Sequence, residues 1–329
     1  MAQASALWFP QANKASILKE ELPQPKPGWC WVQTLFSAIS PGTERLVFQG
    51  KVPRSLHQEM RCPYMGGRFS FPVKYGYSAV GRIIQGPQEK LDQIIHVLHP
   101  HQDLLTVRVE DTHPLPAGVP PQRATLASNL ETAVNAVWDS GVSLGGKILV
   151  VGFGVMGSLT ARLLSFMPGV TLEIMDIHPQ KRKMAEKMGF LVLPPEKVSQ
   201  NFDAAFHASG SGQGLQFALD KIGKEGTVIE MSWYGTQRVS LVLGESFHSQ
   251  RKKILSSQVS NIPPLQQPRW DGKRRKKLVF ELLKKAEFDT HITHAVSFSR
   301  LPQVYSRLNK QPAQGISYLV KYKQRKNHV

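Results

Sequence analysis

The stretch KILVVGFGVMGSLTARLLSFMPGVTLEIMD, from Lys147 to Asp176, constrains this chain more than any other. Ile148, Leu149, Val150 and Val151 form the short apolar run of a strand buried on both faces. Gly152, Gly154 and Gly157 follow in G-x-G-x-x-G spacing. The first allows a sharp turn, the second lets a pyrophosphate approach the backbone, and the third lets the next helix pack on the strand. Val155 and Met156 open that helix, where unpaired amides and the helix dipole favour an anion. Asp176 ends a second strand about twenty residues on, where a carboxylate accepts from a ribose 2′-hydroxyl. Glycine spacing alone is weak evidence. The strand before it, the helix after it and the acid beyond make a dinucleotide site the expectation. The carboxylate would repel a 2′-phosphate, so NAD(H) is favoured. NADP(H) stays open because Lys181 and Arg182 follow closely, their other role being the polar start of a helix.

At 329 residues, the chain has room for two domains with a substantial core. Its two cysteines, Cys30 and Cys62, cannot build a disulfide framework, which suits a reducing cytoplasm. They are also too few for a zinc lobe of four thiolates. No apolar segment has the length of a membrane span, and the N-terminus lacks the pattern of a secretory signal. The net charge of +17 is concentrated in Lys273, Arg274, Arg275, Lys276 and Lys277 and in Lys321, Lys323, Arg325 and Lys326. Such clusters either attract nucleic acid or another anionic surface or form a solvated helix face and a tail. No nucleic-acid-binding motif accompanies them, so the second reading is expected.

Along the chain, residues before about 120 read as β-rich, with strands at Trp29 to Ile39, Ser78 to Ile84 and Leu104 to Val109. Gly50 to Phe71 has little periodicity and reads as a loop able to cover a site. Its Tyr64, Met65, Phe69 and Phe71 suit either a bulky, planar substrate or packing against the first domain. A helix from Ala124 to Val137 leads into the glycine motif. Beyond Asp176 come a helix at Gln180 to Met188, a strand at Asp203 to Ser209, a helix at Gly212 to Ile222 closed by Gly223, and a strand at Thr227 to Met231. This alternation specifies a parallel sheet covered by helices on both faces. The tail reads as a basic helix at Lys273 to Lys285, a strand near His291, another helix, and a final strand at Ile316 to Tyr322.

In this order the pieces resemble the medium-chain dehydrogenase/reductase superfamily, the relatives of alcohol dehydrogenase. Several local runs are similar to its zinc-less branch, which includes the bacteriochlorophyllide dehydrogenases. They are Ser40-Pro41-Gly42-Thr43-Glu44, Leu98-His99-Pro100-His101-Gln102, Asn129-Leu130-Glu131-Thr132-Ala133, Phe247 to Arg251, and Ser257-Gln258-Val259. The resemblance implies an α/β chain: a GroES-like β-barrel catalytic domain at 1–122, a Rossmann doubly wound parallel sheet at 123–262, and a return to the catalytic domain at 263–329. It further implies a homodimer, with strands around Val239 to Val259 extending the sheet across the interface. Ser209 and Gly210 fall where relatives approach the nicotinamide ribose; Ser232 and Tyr234 are weaker cofactor candidates.

The chain departs from zinc-dependent relatives at each ligand position. Their Cys-Gly-Thr-Asp-like turn is Pro41-Gly42-Thr43-Glu44 here, their Gly-His-Glu turn is Gly76-Tyr77-Ser78, and their third ligand falls at about Ser128. These residues supply neither thiolate nor imidazole, so no catalytic zinc is expected. Another group must then serve the alkoxide formed by hydride transfer to a carbonyl, unless the substrate is itself activated, as a conjugated enone is. Tyr77, in the lost histidine's position, is the leading donor; its other role is that of a buried structural tyrosine. Thr43 matches the hydroxyl that relays the substrate proton in zinc-dependent members; its other role is a helix cap. His101 is either an acid at the pocket mouth or a surface histidine, and Glu44 holds the turn. The expected function is zinc-independent hydride transfer between nicotinamide and an alcohol/carbonyl pair or activated double bond of a bulky apolar small molecule. The alternative is a weakly catalytic dinucleotide-binding sensor or basic scaffold.

Overall fold

Parallel pairing follows from how the central strands are buried. The strand Lys147–Val151 lies between Thr171–Met175 and Phe202–His207, in register Val150↔Ile174 and Val150↔Phe206. Ile148, Leu149, Val150 and Val151 are all completely buried, as a central strand covered on both faces requires. Outward from these run Val192–Leu193 on one side and Ile222–Glu230 then Lys253–Ser256 on the other, giving a six-stranded parallel sheet. The helices Ala127–Ser140, Val155–Ser165, Pro179–Lys187 and Gly212–Lys221 provide its connections and coverings. The computed structural model describes residues 2–311 and 314–324.

The second body is antiparallel and mixed. Ala2–Gln11 and Lys14–Leu22 form a hairpin. Trp29–Ile39 is the hub of a larger sheet, pairing with Ala79–Gln85, Leu104–Arg108 and Ser317–Lys321. The chain tail therefore returns to the first body and adds Ile292–Ser297 in parallel beside Ser317–Lys321. This mixed body beside a parallel sheet is the expected GroES-like and Rossmann pairing.

Several boundaries differ from the sequence reading. The helix expected at Ala124 to Val137 is two, Pro121–Ala124 and Ala127–Ser140. Gly223 does not close the helix Gly212–Lys221; the chain turns extended at Ile222 and enters the strand Ile222–Glu230 directly. The region Val239 to Val259 holds one strand, Lys253–Ser256, rather than several. In the segment Gly50 to Phe71, Met65 and Phe69 are buried with Leu7, Phe9 and Tyr75. Those side chains pack into the first body, and Tyr64 hydrogen-bonds Asp111.

The basic helix Gly272–Leu282 is not simply a solvated face. Arg275 and Lys276 are buried and both pair with Glu131, Arg275 Nε at 3.0 Å and Lys276 Nζ at 2.5 Å. They lock this helix onto Ala127–Ser140, leaving Lys273, Arg274 and Lys277 exposed. Of the C-terminal cluster, Lys321 and Lys323 are exposed, while Arg325 and Lys326 lie outside the described residues.

Candidate active site

The parallel strands all end on the same side, and a cleft of about 750 Å³ opens beyond their C-terminal ends. One wall is the glycine loop, with Gly152, Gly154, Val155 and Met156; the other is the helix Pro41–Phe48 with Lys51. Gly152 takes a positive φ of 97°, and a side chain there would meet the Ser209 backbone at 2.8 Å. At Gly157 a Cβ would lie 1.8 Å from the Gly152 carbonyl oxygen. Gly157 is thus the packing glycine, set behind the cleft. A Cβ on Gly154 would meet no protein atom, so this position fronts open space. Gly154 caps the helix Val155–Ser165, and the amides of Val155 and Met156 have no hydrogen-bond partner among the described residues. An open glycine face, free amides and a helix N-terminus fit an anionic pyrophosphate.

Asp176 lines the same cleft but is 6% exposed. Its Oδ2 accepts from Phe153 N–H and its Oδ1 from His178 N–H, each at 2.8 Å. The carboxylate therefore fixes the glycine loop as well, while its remaining lone pairs can accept from a hydroxyl. Lys181 is more than the polar start of a helix. It is buried, lines the cleft, and its Nζ donates to the Gly315 carbonyl in the returning tail. Burial lowers its pKa to about 8, although the nearby Asp176 acts in the opposite sense. Arg182 Nη1 donates to the Asp176 carbonyl at 2.8 Å.

Ser209, Gly210 and Ser232 also border the cleft. Gly210 N–H donates to Ser232 Oγ at 3.1 Å, joining the ends of two adjacent strands. Beneath them lies a set of contacts that the sequence reading missed. His207 is fully buried, with Nδ1 2.8 Å from Glu230 Oε2 and Nε2 2.6 Å from Ser209 Oγ. Glu230 also accepts from Ser232 N–H at 2.7 Å and from the Tyr234 hydroxyl at 2.9 Å. Burial would raise its pKa, but these hydrogen bonds and His207 outweigh that and hold it below the usual carboxylate range. Residues 207 and 209 share one side of a strand end, and that spacing was the only available signal.

The corner beside the cleft is built from side chains. Tyr77 is half-buried, and the nearby Ser40 and Thr43 side chains partly offset the effect of burial on its hydroxyl. Ser40 and Thr43 line the cleft, whereas Tyr77 stands behind them. Burial, with Glu44 nearby, pushes the Tyr77 pKa up, so the hydroxyl keeps its proton. Thr43 is not the cap: the helix begins at Pro41 with Ser40 before it, and Glu44 Oε1 accepts from Ser40 N–H at 2.7 Å. Ser128 donates to the Tyr77 carbonyl at 2.9 Å.

His101 is neither at the pocket mouth nor on the surface. It is 1% exposed, its Nδ1 2.7 Å from Ser37 Oγ and its Nε2 2.9 Å from Glu44 Oε2. Residues 101 and 102 are drawn inward because Leu7 N–H donates to the His101 carbonyl and Ala6 bridges Gln102. Glu44 also accepts from the Tyr305 hydroxyl. His101 and Glu44 thus brace the helix Pro41–Phe48 from inside. His99 is buried too, and burial lowers its pKa to about 3.

Pro41, Tyr77 and Ser128 offer no thiolate or imidazole, and no group of three or more His, Cys, Asp or Glu among the described residues is placed to hold a metal.

No family model matches the chain. It is 25% identical over 254 residues to 2-desacetyl-2-hydroxyethyl bacteriochlorophyllide A dehydrogenase of Rhodobacter capsulatus, covering 72% of this chain and 76% of that one. D-guloside 3-dehydrogenase of Escherichia coli is 24% identical over 217 residues, 61% of this chain and 62% of its own length. Acetophenone reductase of Geotrichum candidum, solved with NAD, superposes with a TM-score of 0.76 at 17% identity, covering 97% of each chain. These likenesses support an alcohol-dehydrogenase-like oxidoreductase of the medium-chain dehydrogenase/reductase family. The glycine cleft has the open backbone face that a dinucleotide requires, and the corner beside it presents Pro41, Tyr77 and Ser128.

Proposed function

We propose that the chain is a zinc-independent, NAD(H)-preferring dehydrogenase acting on an alcohol/carbonyl pair. One observation supports this most: the cleft hydroxyls of Ser40 and Thr43 lie beside Tyr77, where relatives would place metal ligands. The nicotinamide cofactor would supply or accept the hydride. Gly152, Gly154 and the Val155 and Met156 amides would hold its pyrophosphate, and Asp176 its adenine ribose. Ser209, Gly210 and Ser232 would border the other ribose. Thr43 would face the substrate oxygen and pass its proton through Tyr77, whose raised pKa suits a donor that stays protonated until the alkoxide forms. Asp176 favours NAD(H) because its charge opposes a 2′-phosphate. Lys181 is the residue that would soften that preference.

The test is turnover of secondary alcohols and ketones by metal-analysed protein, with and without a chelator. Activity unaffected by chelation supports the proposal; a stoichiometric zinc requirement overturns it.

We also propose a homodimer through the outer edge of the parallel sheet. Lys253–Ser256 is an edge strand with all four residues exposed, including Ile254 at 38% and Leu255 at 39%. An open apolar edge is a template for pairing with another strand. Light scattering of wild type and Leu255→Lys checks it: dimer and monomer are expected, respectively. The scaffold alternative is not favoured, since Arg275 and Lys276 are consumed by Glu131.

A further inference from the structure

Ser209, His207 and Glu230 stand in the order and at the distances of an activated nucleophile, its base and the group that orients the base. Ser209 Oγ is 2.6 Å from His207 Nε2, and His207 Nδ1 is 2.8 and 2.9 Å from the two Glu230 oxygens. For the neutral imidazole, hydrogen-bond chemistry assigns the proton positions. Glu230 only accepts, so the Nδ1 proton points at it and Nε2 carries the lone pair. Ser209 must then donate its hydroxyl proton to Nε2. His207 is fully buried and held in this tautomer, while Ser209 is exposed on the cleft.

Gly214 is the local evidence that the pair occupies real space. A Cβ there would fall 2.2 Å from Ser209 Oγ and 2.9 Å from His207 Nε2. Glycine at this point of the helix Gly212–Lys221 leaves room for the pair. The same helix brings its first turn against Ser209. The amides of Gly212 and Gln213 have no partner among the described residues, and Ser211 caps Gly214 N–H at 3.0 Å. Free amides at a helix N-terminus are donors of the type that stabilise an oxyanion.

We propose that Ser209 is a second reactive centre, a nucleophile toward short-chain activated acyl esters when the cleft holds no cofactor. Ser209 Oγ bonds to the acyl carbon as its proton passes to His207 Nε2, and the carbonyl electrons move onto oxygen beside the Gly212 and Gln213 amides. Collapse expels the alcohol or phenol oxygen and leaves an acyl-serine; a basic alkoxide takes the proton from Nε2, and after a phenolate departs solvent water in the open cleft removes it. Water then adds with Nε2 as base, releasing the carboxylic acid and restoring the serine. No oxidant or reductant is needed. Glu230 positions His207 and stabilises the imidazolium. This centre does not depend on the dehydrogenase chemistry proposed above, though the two share the cleft.

The experiment is acetylation of the cofactor-free protein by p-nitrophenyl acetate, with phenolate release followed by absorbance and the acetyl group located by peptide mass spectrometry. We expect a burst approaching one equivalent and the label on Ser209. In Ser209→Ala the burst and that label should vanish. In His207→Gln and Gly214→Ala the acylation rate should fall on the order of a hundredfold, the loss of a general base. In Glu230→Gln the pH at half-maximal rate should move downward, because the imidazolium loses its carboxylate; a merely structural role would leave the midpoint unchanged. Circular dichroism of each variant separates these effects from misfolding. Label carried only by lysines, or a burst that survives Ser209→Ala, overturns the proposal. Excess NADH should suppress the labelling; labelling unaffected by NADH would uphold the nucleophile while contradicting the cofactor placement.

Discussion

The glycine cleft and the corner behind Tyr77 use different materials for neighbouring tasks. The cleft is written in backbone: a positive φ at Gly152, an open face at Gly154, free amides at Val155 and Met156. The corner is written in side chains from distant parts of the chain, with Ser37, Glu44, His101, Tyr305 and Tyr322 joined in one buried set. A backbone device tolerates few substitutions and leaves a spacing in the sequence. A side-chain device can exchange thiolate and imidazole for hydroxyls while the surrounding fold persists.

The sharpest way to break the comparison is within the glycines themselves. Gly157→Ala places a methyl group into the Gly152 carbonyl, so it should displace the loop and abolish measurable NADH binding by calorimetry. Gly154→Ala meets no protein atom and should fold normally, with melting within a few degrees of wild type, yet still weaken NADH roughly tenfold or more. Equal behaviour of the two variants would deny Gly154 its role against the pyrophosphate.

Tyr77→Phe comes next. Removing the hydroxyl should lower kcat by about 10²-fold or more, the range for loss of general acid–base help, and leave NADH affinity unchanged. Unchanged turnover would remove Tyr77 from the proton path. In the brace behind it, Glu44→Ala strips the acceptor from Ser40 N–H, His101 and Tyr305 at a buried position. A loss of about 2–4 kcal/mol in urea unfolding is expected, since such donors are left unpaired.

The smallest effect is a pH dependence at Lys181. Its pKa in the folded chain, about 8, lies below the ordinary lysine value of 10.5. The unfolded chain therefore binds more protons between these values, and this group makes stability rise with pH across that window. Anion binding has the opposite sign. NADPH affinity should weaken as pH rises through about 8, because the ammonium that favours its 2′-phosphate is lost. Lys181→Met should flatten that dependence in a fluorescence titration.

These regions also differ in how far the sequence exposed them. The parallel sheet and its glycine loop follow from local pattern: an apolar run, three spaced glycines, an acid. The tail's return to the first body was legible only through resemblance, because the pairing Tyr318↔Ile39 joins residues far apart in the chain. His101 was misread because nothing local says that Leu7 and Ala6 pull its neighbourhood inside. Lys181 looked like a helix-surface lysine until its contact with Gly315 placed it in the cleft wall. The His207–Glu230 pair crosses two strands, and only their register could reveal it. Local chemistry was readable; chemistry assembled by tertiary contact was not.

The most direct measurement is a parallel titration of metal-analysed protein with NADH and NADPH, followed by fluorescence. We expect tight NADH binding, weaker NADPH binding and no stoichiometric zinc. Zinc retained at one equivalent, or NADPH bound in preference to NADH, would contradict a hydroxyl corner beside an Asp176 cleft.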